Sequence, residues 1–248
     1  MSCRRHARRG VPAVLLAVAT LLSVPGAVSA SRDESPKDGS RTSPAGVRKE
    51  STKPSPDPRN LMPGYLFRSR DRLAVDAADA LSLVLRQPNT EDPAYLRLRR
   101  LVSDEIARRL GLDASALHRR WSRASRDHQI AGLAAITQIG VRYVEGKEDP
   151  YVQMDCSGLH WYAWRVAGLD MPRQAVSQKD RHMRIDREDA VWGDIVGEGT
   201  HVHMYLGLGN AMIHAPFEGK RVKLKMMSEA QAQRSVWADP SVIPLYRL

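Results

Sequence analysis

Helical periodicity ends at Gly168, and beyond it the chain reads in twos. A run of helices followed by short strands joined by tight turns confines the fold to the α+β class, with the strands in an antiparallel sheet. The helical half opens near Asp71. Leu73, Ala77, Ala80, Leu81 and Val84 recur at three-and-four spacing on one helix face, and Pro88 lies just past its end. Asp92-Pro93 starts a second helix that runs to Leu110 before Gly111, with Leu98, Leu101, Val102, Ile106 and Leu110 as its expected buried stripe. Asp113 caps a third helix through Leu117 and Trp121, and a fourth is expected over Gln129 to Ile139. The many arginines of these helices are expected on solvated outer faces. A further helix spans Cys156 to about Ala167. Strands are expected over Ala190 to Val196, His201 to Leu206, Ala211 to Ala215, Val222 to Lys225 and Val242 to Tyr246.

The first sixty residues cannot join that fold. Arg4, Arg5, Arg8 and Arg9 precede an apolar run from Val11 to Val24 and a small-residue end at Val28-Ser29-Ala30. This is the plan of a secretory signal peptide over residues 1–30. The run is shorter than the ~20 residues a bilayer-spanning helix needs, so no membrane span is expected after cleavage. Residues 31–67 are Ser, Pro and mixed charge with few large apolar side chains, the composition of a disordered linker. The expected organisation is therefore signal peptide 1–30, linker 31–67, helical segment 68–127 and a mixed helix-and-strand domain 128–248.

Charge and cysteine content narrow the function. The chain carries 38 basic and 28 acidic residues, a net charge of +10. Four of the basic residues lie in the signal, so processing leaves +6, which suits an anionic cell envelope better than nucleic acid. Cys3 leaves with the signal. Cys156 then has no internal disulfide partner, and no cysteine pattern suggests a structural zinc module.

Cys156 opens a helix, where unpaired N–H groups and the helix dipole favour a thiolate. Downstream, His201 and His203 alternate onto one strand face while Val202 and Met204 take the other. One of the two histidines can stand against the cysteine as general base. His214, returning after a tight turn, can reach the same end and hold the imidazole in the right tautomer. The three histidines also suit zinc. No carboxylate or cysteine ligand accompanies them, so neither a metal nor another cofactor is expected. His160 is expected to be partly exposed, and His118, His128 and His182 on the surface. Trp161, Trp164 and Trp192 are expected to pack rather than to line a groove.

Asp155-Cys156-Ser157-Gly158-Leu159, Met171-Pro172-Arg173 with Gln178, Gly193-Asp194, His201-Val202-x-Met204-Tyr205-Leu206-Gly207 and Ile213-His214-Ala215-Pro216 follow one another in order. Together with Tyr143, about a dozen residues before the cysteine, this series resembles the NlpC family of papain-like bacterial cell-wall cysteine peptidases, over roughly residues 128–230. The resemblance implies a papain-like domain with Cys156 as nucleophile, His201 as base and His214 as the orienting third member. It implies that Tyr143, Asp155 and Ser157 line the part of the cleft that holds the substrate's amino end and the oxyanion. The implied substrate is the peptidoglycan stem peptide, cut between D-glutamate and the diamino acid by a secreted, monomeric, metal-free enzyme of the cell envelope.

Three positions depart from the family pattern. His203 stands where a small residue is usual, facing the same side as the base, where it can narrow the cleft or compete for the base role. The turn between His201 and His214 is one residue longer than the common form. The loop after Tyr143 reads Val144-Glu145-Gly146-Lys147-Glu148 instead of an aromatic and paired glycines. The rival readings are a non-catalytic envelope-binding module of the same fold, and an amidase or acyltransferase using the same Cys-His chemistry.

Overall fold

Short polar side chains start each helix by accepting hydrogen bonds from otherwise orphaned N–H groups. The computed structural model describes residues 71–243. The signal peptide, the linker, the start of the helical segment and the end of the strand expected at Val242 to Tyr246 lie outside that range. Asp71 accepts from Leu73 N at the head of α1 (Arg72–Arg86). Asp92 accepts from Ala94 N and Tyr95 N at α2 (Pro93–Leu110), which stops at Gly111 in the left-handed conformation. Asp113 caps α3 (Ala114–Trp121). The fourth helix, α4 (Arg126–Ile136), begins earlier than expected because Ser125 accepts from His128 N.

Next comes a small sheet of β1 (Arg142–Tyr143), β2 (Glu148–Asp149) and β3 (Gln153–Met154), in the order β1-β3-β2. The cysteine helix α5 (Cys156–Val166) follows directly. Then come β4 (Arg184–Ile185), β5 (Ile195–Glu198), β6 (His201–Tyr205), β7 (Ala211–His214), β8 (Lys223–Met226), α6 (Glu229–Arg234) and β9 (Val236–Ala238). Strands β4 to β9 form a six-stranded sheet ordered β4-β9-β5-β6-β7-β8, antiparallel at every pairing. The α+β class holds.

Several local expectations need correction. The strand expected from Ala190 begins only at Ile195, because residues 187–189 form a 3-10 turn and the Asp194 carboxylate accepts from Val191 N. Leu101 is 52% exposed, so the α2 stripe runs through Tyr95, Arg99, Val102 and Ile106 instead. Arg99 is not on a solvated face. It is buried, donating to Gln129 Oε1 (2.9 Å) and Ser122 Oγ (2.7 Å), while Tyr95 OH donates to the same Gln129 oxygen (2.7 Å).

One apolar core joins both halves of the described chain. Leu73, Leu81 and Ile106 belong to the same cluster as Leu133, Trp164, Val202 and Ile213. At its centre Trp121 of α3 stacks on Trp192, ring centroids 3.6 Å apart and planes at 7°, and donates its indole N–H to Leu206 O (2.8 Å). The stack lies against Gly132 of α4, where a Cβ would stand 2.2 Å from the Trp192 indole. Trp164 and Trp192 are fully buried packing residues, as expected. A second, smaller cluster of Val196, Tyr205, Met212 and Trp237 lies on the other side of the large sheet.

Candidate active site

Asp155 does two jobs at the head of α5. Its carboxylate caps the helix by accepting from Gly158 N (2.6 Å), and it also accepts from Gly146 N (2.8 Å) and Ser157 Oγ (3.1 Å). Gly158 is required here: a Cβ at that position would lie 2.3 Å from the Lys147 carbonyl oxygen. The loop that departs from the family pattern is thus packed directly on the cysteine helix.

Arg173 completes this corner. It donates to both oxygens of Asp155 (2.9 and 2.8 Å), to Ser157 Oγ (2.8 Å) and to Glu148 Oε2 (2.9 Å). Burial works against the Asp155 charge, but the Arg173 guanidinium and the backbone N–H groups hold its carboxyl below the usual range. Gln178, fully buried, ties the Arg173 segment to the helix by donating to Ser157 O (2.9 Å) and Pro172 O (2.7 Å). Both residues were visible as members of the motif series. Their role as supports was not, because it depends on a loop returning to the helix.

Cys156 is buried at the start of α5, and its thiol lies near the backbone N–H of Val202, the residue after His201. Tyr143 is close enough for its phenol to be pushed up by burial and by negative charge at Cys156 and Asp155. The expected thiolate is corrected. Burial pushes the Cys156 thiol above its ordinary value, and the Asp155 carboxylate adds to that, outweighing nearby backbone N–H groups.

The histidines come together at the same end of the sheet. His201 Nε2 and His214 Nδ1 are 3.0 Å apart. His203 of β6 and His214 at the end of the neighbouring β7 have ring centroids 4.8 Å apart; those of His201 and His203 are 4.5 Å apart. His201 remains half-buried, whereas His203 and His214 are buried. Burial lowers all three: His201 to about 4, with Lys225 adding to the effect, His214 to about 3, and His203 further still. All seven residues expected at the site therefore lie around one end of α5 and the adjoining strands.

Two histidines lie deeper than expected. His160 is fully buried, with Nδ1 2.7 Å from Cys156 O and burial lowering it to about 4. His128 is also buried, with Nε2 3.0 Å from Asp194 and 3.2 Å from Asp239. Neither burial has a local signal, since one depends on β6 and the other on two distant carboxylates. His182 is exposed as expected.

The profile of the NlpC/P60 family matches residues 140–240. The chain is 33% identical over 118 residues to murein DD-endopeptidase MepH of Escherichia coli, covering 43% of this chain and 42% of that one. It is 34% identical over 83 residues to the bifunctional muramidase/DL-endopeptidase CwlT of Bacillus subtilis, covering 30% of this chain and 25% of that one. The NlpC/p60 domain of the peptidoglycan hydrolase SagA superposes with a TM-score of 0.39 at 30% identity, over 45% of this chain and 97% of that one. The chain spans a quarter to a half of the length of the curated relatives it matches first. Residues 140–240 of this chain match the NlpC/P60 family as a domain.

Proposed function

We propose that this chain is a cysteine endopeptidase that hydrolyses peptide bonds of peptidoglycan. The observation that carries the reading is the contact between His201 Nε2 and His214 Nδ1 beside a helix that begins with Cys156. With its proton on Nε2, donated to His214, His201 keeps a free lone pair on Nδ1. That nitrogen takes the thiol proton as sulfur attacks the substrate carbonyl carbon. The oxyanion accepts hydrogen bonds from N–H groups at the start of α5 and from the Tyr143 hydroxyl. The imidazolium then protonates the leaving amine. Water, deprotonated by the same nitrogen, cleaves the thioester and frees the thiol. Because the resting pair is a neutral thiol and imidazole, proton transfer accompanies attack rather than preceding it.

The cleaved bond in this reading is the one between D-glutamate and the diamino acid, with Asp155, Ser157 and Tyr143 facing the substrate's amino end and His203 narrowing the cleft beside the base. Of the relatives, MepH is named for a DD bond and CwlT for a DL bond. Export to the cell envelope is supported by the basic start and apolar run of residues 1–30. Among the described residues no helix is long and apolar enough to cross a membrane.

The test is digestion of purified muropeptides, with products read by mass spectrometry. Hydrolysis is expected with the wild type and none with Cys156→Ala; turnover surviving in that variant would sink the mechanism. A rate loss in His203→Ala as large as in His201→Ala would move the base assignment to His203. Products cut only at the sugar–peptide junction would make the protein an amidase.

A further inference from the structure

His203 is 1% exposed and neither ring nitrogen has a hydrogen-bond partner; His214 is 6% exposed and its Nε2 has none. Each unpaired buried polar atom costs on the order of 1–3 kcal/mol. Three of them meet in one cluster. One nitrogen from each of His201, His203 and His214 lies within 4.8 Å of the other two. The 3.0 Å between His201 Nε2 and His214 Nδ1 is close to the spacing of about 3.3 Å for two nitrogens bound to one tetrahedral zinc. The cluster offers imidazole alone, a donor set that suits zinc, nickel or copper and disfavours calcium or magnesium.

We propose that His201, His203 and His214 form an inhibitory binding site for a first-row divalent ion, Zn2+ in the first place. Three protein nitrogens leave a fourth position for water, and half-buried His201 is the side from which the ion enters. A neutral imidazole has one lone pair. An ion bound at His201 Nε2 moves the ring proton to Nδ1, which then cannot accept the Cys156 proton, and the His201–His214 hydrogen bond is replaced by two coordinate bonds. Ion binding stands on geometry alone, whereas its inhibitory effect rests on the role proposed for His201. His203, foreign to the family pattern at this position, supplies the third ligand.

The experiment titrates the chelator-treated full chain with Co2+, followed by visible absorption, and with Zn2+ against a chromophoric chelator. One ion per chain is expected, held more than about tenfold more weakly by His203→Ala and by His203→Gln. Binding is expected to persist in Cys156→Ala, with no thiolate-to-cobalt charge-transfer band in the wild type. Unchanged affinity in both His203 variants, each checked for folding by its melting transition, overturns the site. So does loss of binding in Cys156→Ala. In a parallel muropeptide digest Zn2+ should suppress hydrolysis and a chelator restore it; equal hydrolysis with the ion bound overturns the inhibition. A chain that binds the ion through His203 but hydrolyses nothing in chelator keeps the metal site and refutes the endopeptidase reading.

Discussion

His128 of α4 reaches Asp194 at the entry to β5, with Nε2 3.0 Å from the carboxylate and both side chains almost fully buried. Asp239, 3.2 Å away at the end of β9, makes the pair a triad that links the helical layer to the neighbouring strands β5 and β9. Burial alone would lower His128, but its hydrogen bonds to the two carboxylates outweigh it and push it up to about 9. A raised folded-state pKa adds stability that is complete below the unfolded value of about 6.5 and is lost as pH climbs. The melting temperature should therefore fall between pH 6.5 and about 9. His128→Gln should remove most of that slope, and a variant with the wild-type slope would show that other groups set it.

The Cys156 thiol predicts how the free protein meets electrophiles. Burial and the Asp155 charge keep it protonated at neutral pH. Alkylation by iodoacetamide should be slower at pH 7 than for a small free thiol and should rise above pH 9. Fast alkylation at pH 7, with a midpoint below 7, would mean a preformed thiolate–imidazolium pair and a different order of proton transfer.

Arg173 predicts a defect that its charge alone does not repair. Arg173→Ala leaves the buried Asp155 carboxylate without its forked partner and should cost about 2–4 kcal/mol in chemical denaturation. Arg173→Lys should recover only a small part, because an ammonium cannot bind both carboxylate oxygens, Ser157 and Glu148 in one plane. Full recovery with lysine would reduce the residue to a point charge.

Gly132 predicts a reversal of sign. Replacing a mid-helix glycine by alanine ordinarily stabilises by about 1 kcal/mol. Here the new methyl meets the Trp192 indole, so Gly132→Ala should destabilise by about 2–3 kcal/mol. Thermal unfolding decides between the two signs.

What could be read from the chain alone was what lies close together along it. Asp71, Asp92 and Asp113 mark helix starts because a cap acts within three residues, and the structure agrees at each. The period-two alternation of His201 and His203 put both on one strand face, where their rings are neighbours. Relations between distant segments stayed hidden. The three-residue strand Val236–Ala238 is too short to show alternation, yet it pairs with both β4 and β5. Cys156 at a helix start suggested a lowered thiol pKa, and burial in the folded chain, with the Asp155 charge beside it, reversed the direction.

The Trp121–Trp192 stack bears on how this protein can be divided. A fragment cut where the family match begins, at residue 140, would discard Trp121, the Gly132 face beneath Trp192 and the His128 arm of the buried triad. The exposed indole and the two orphaned carboxylates would invite aggregation of a piece in which Cys156, His201 and His214 were all present. For this chain, the smallest portion worth expressing begins no later than Asp71.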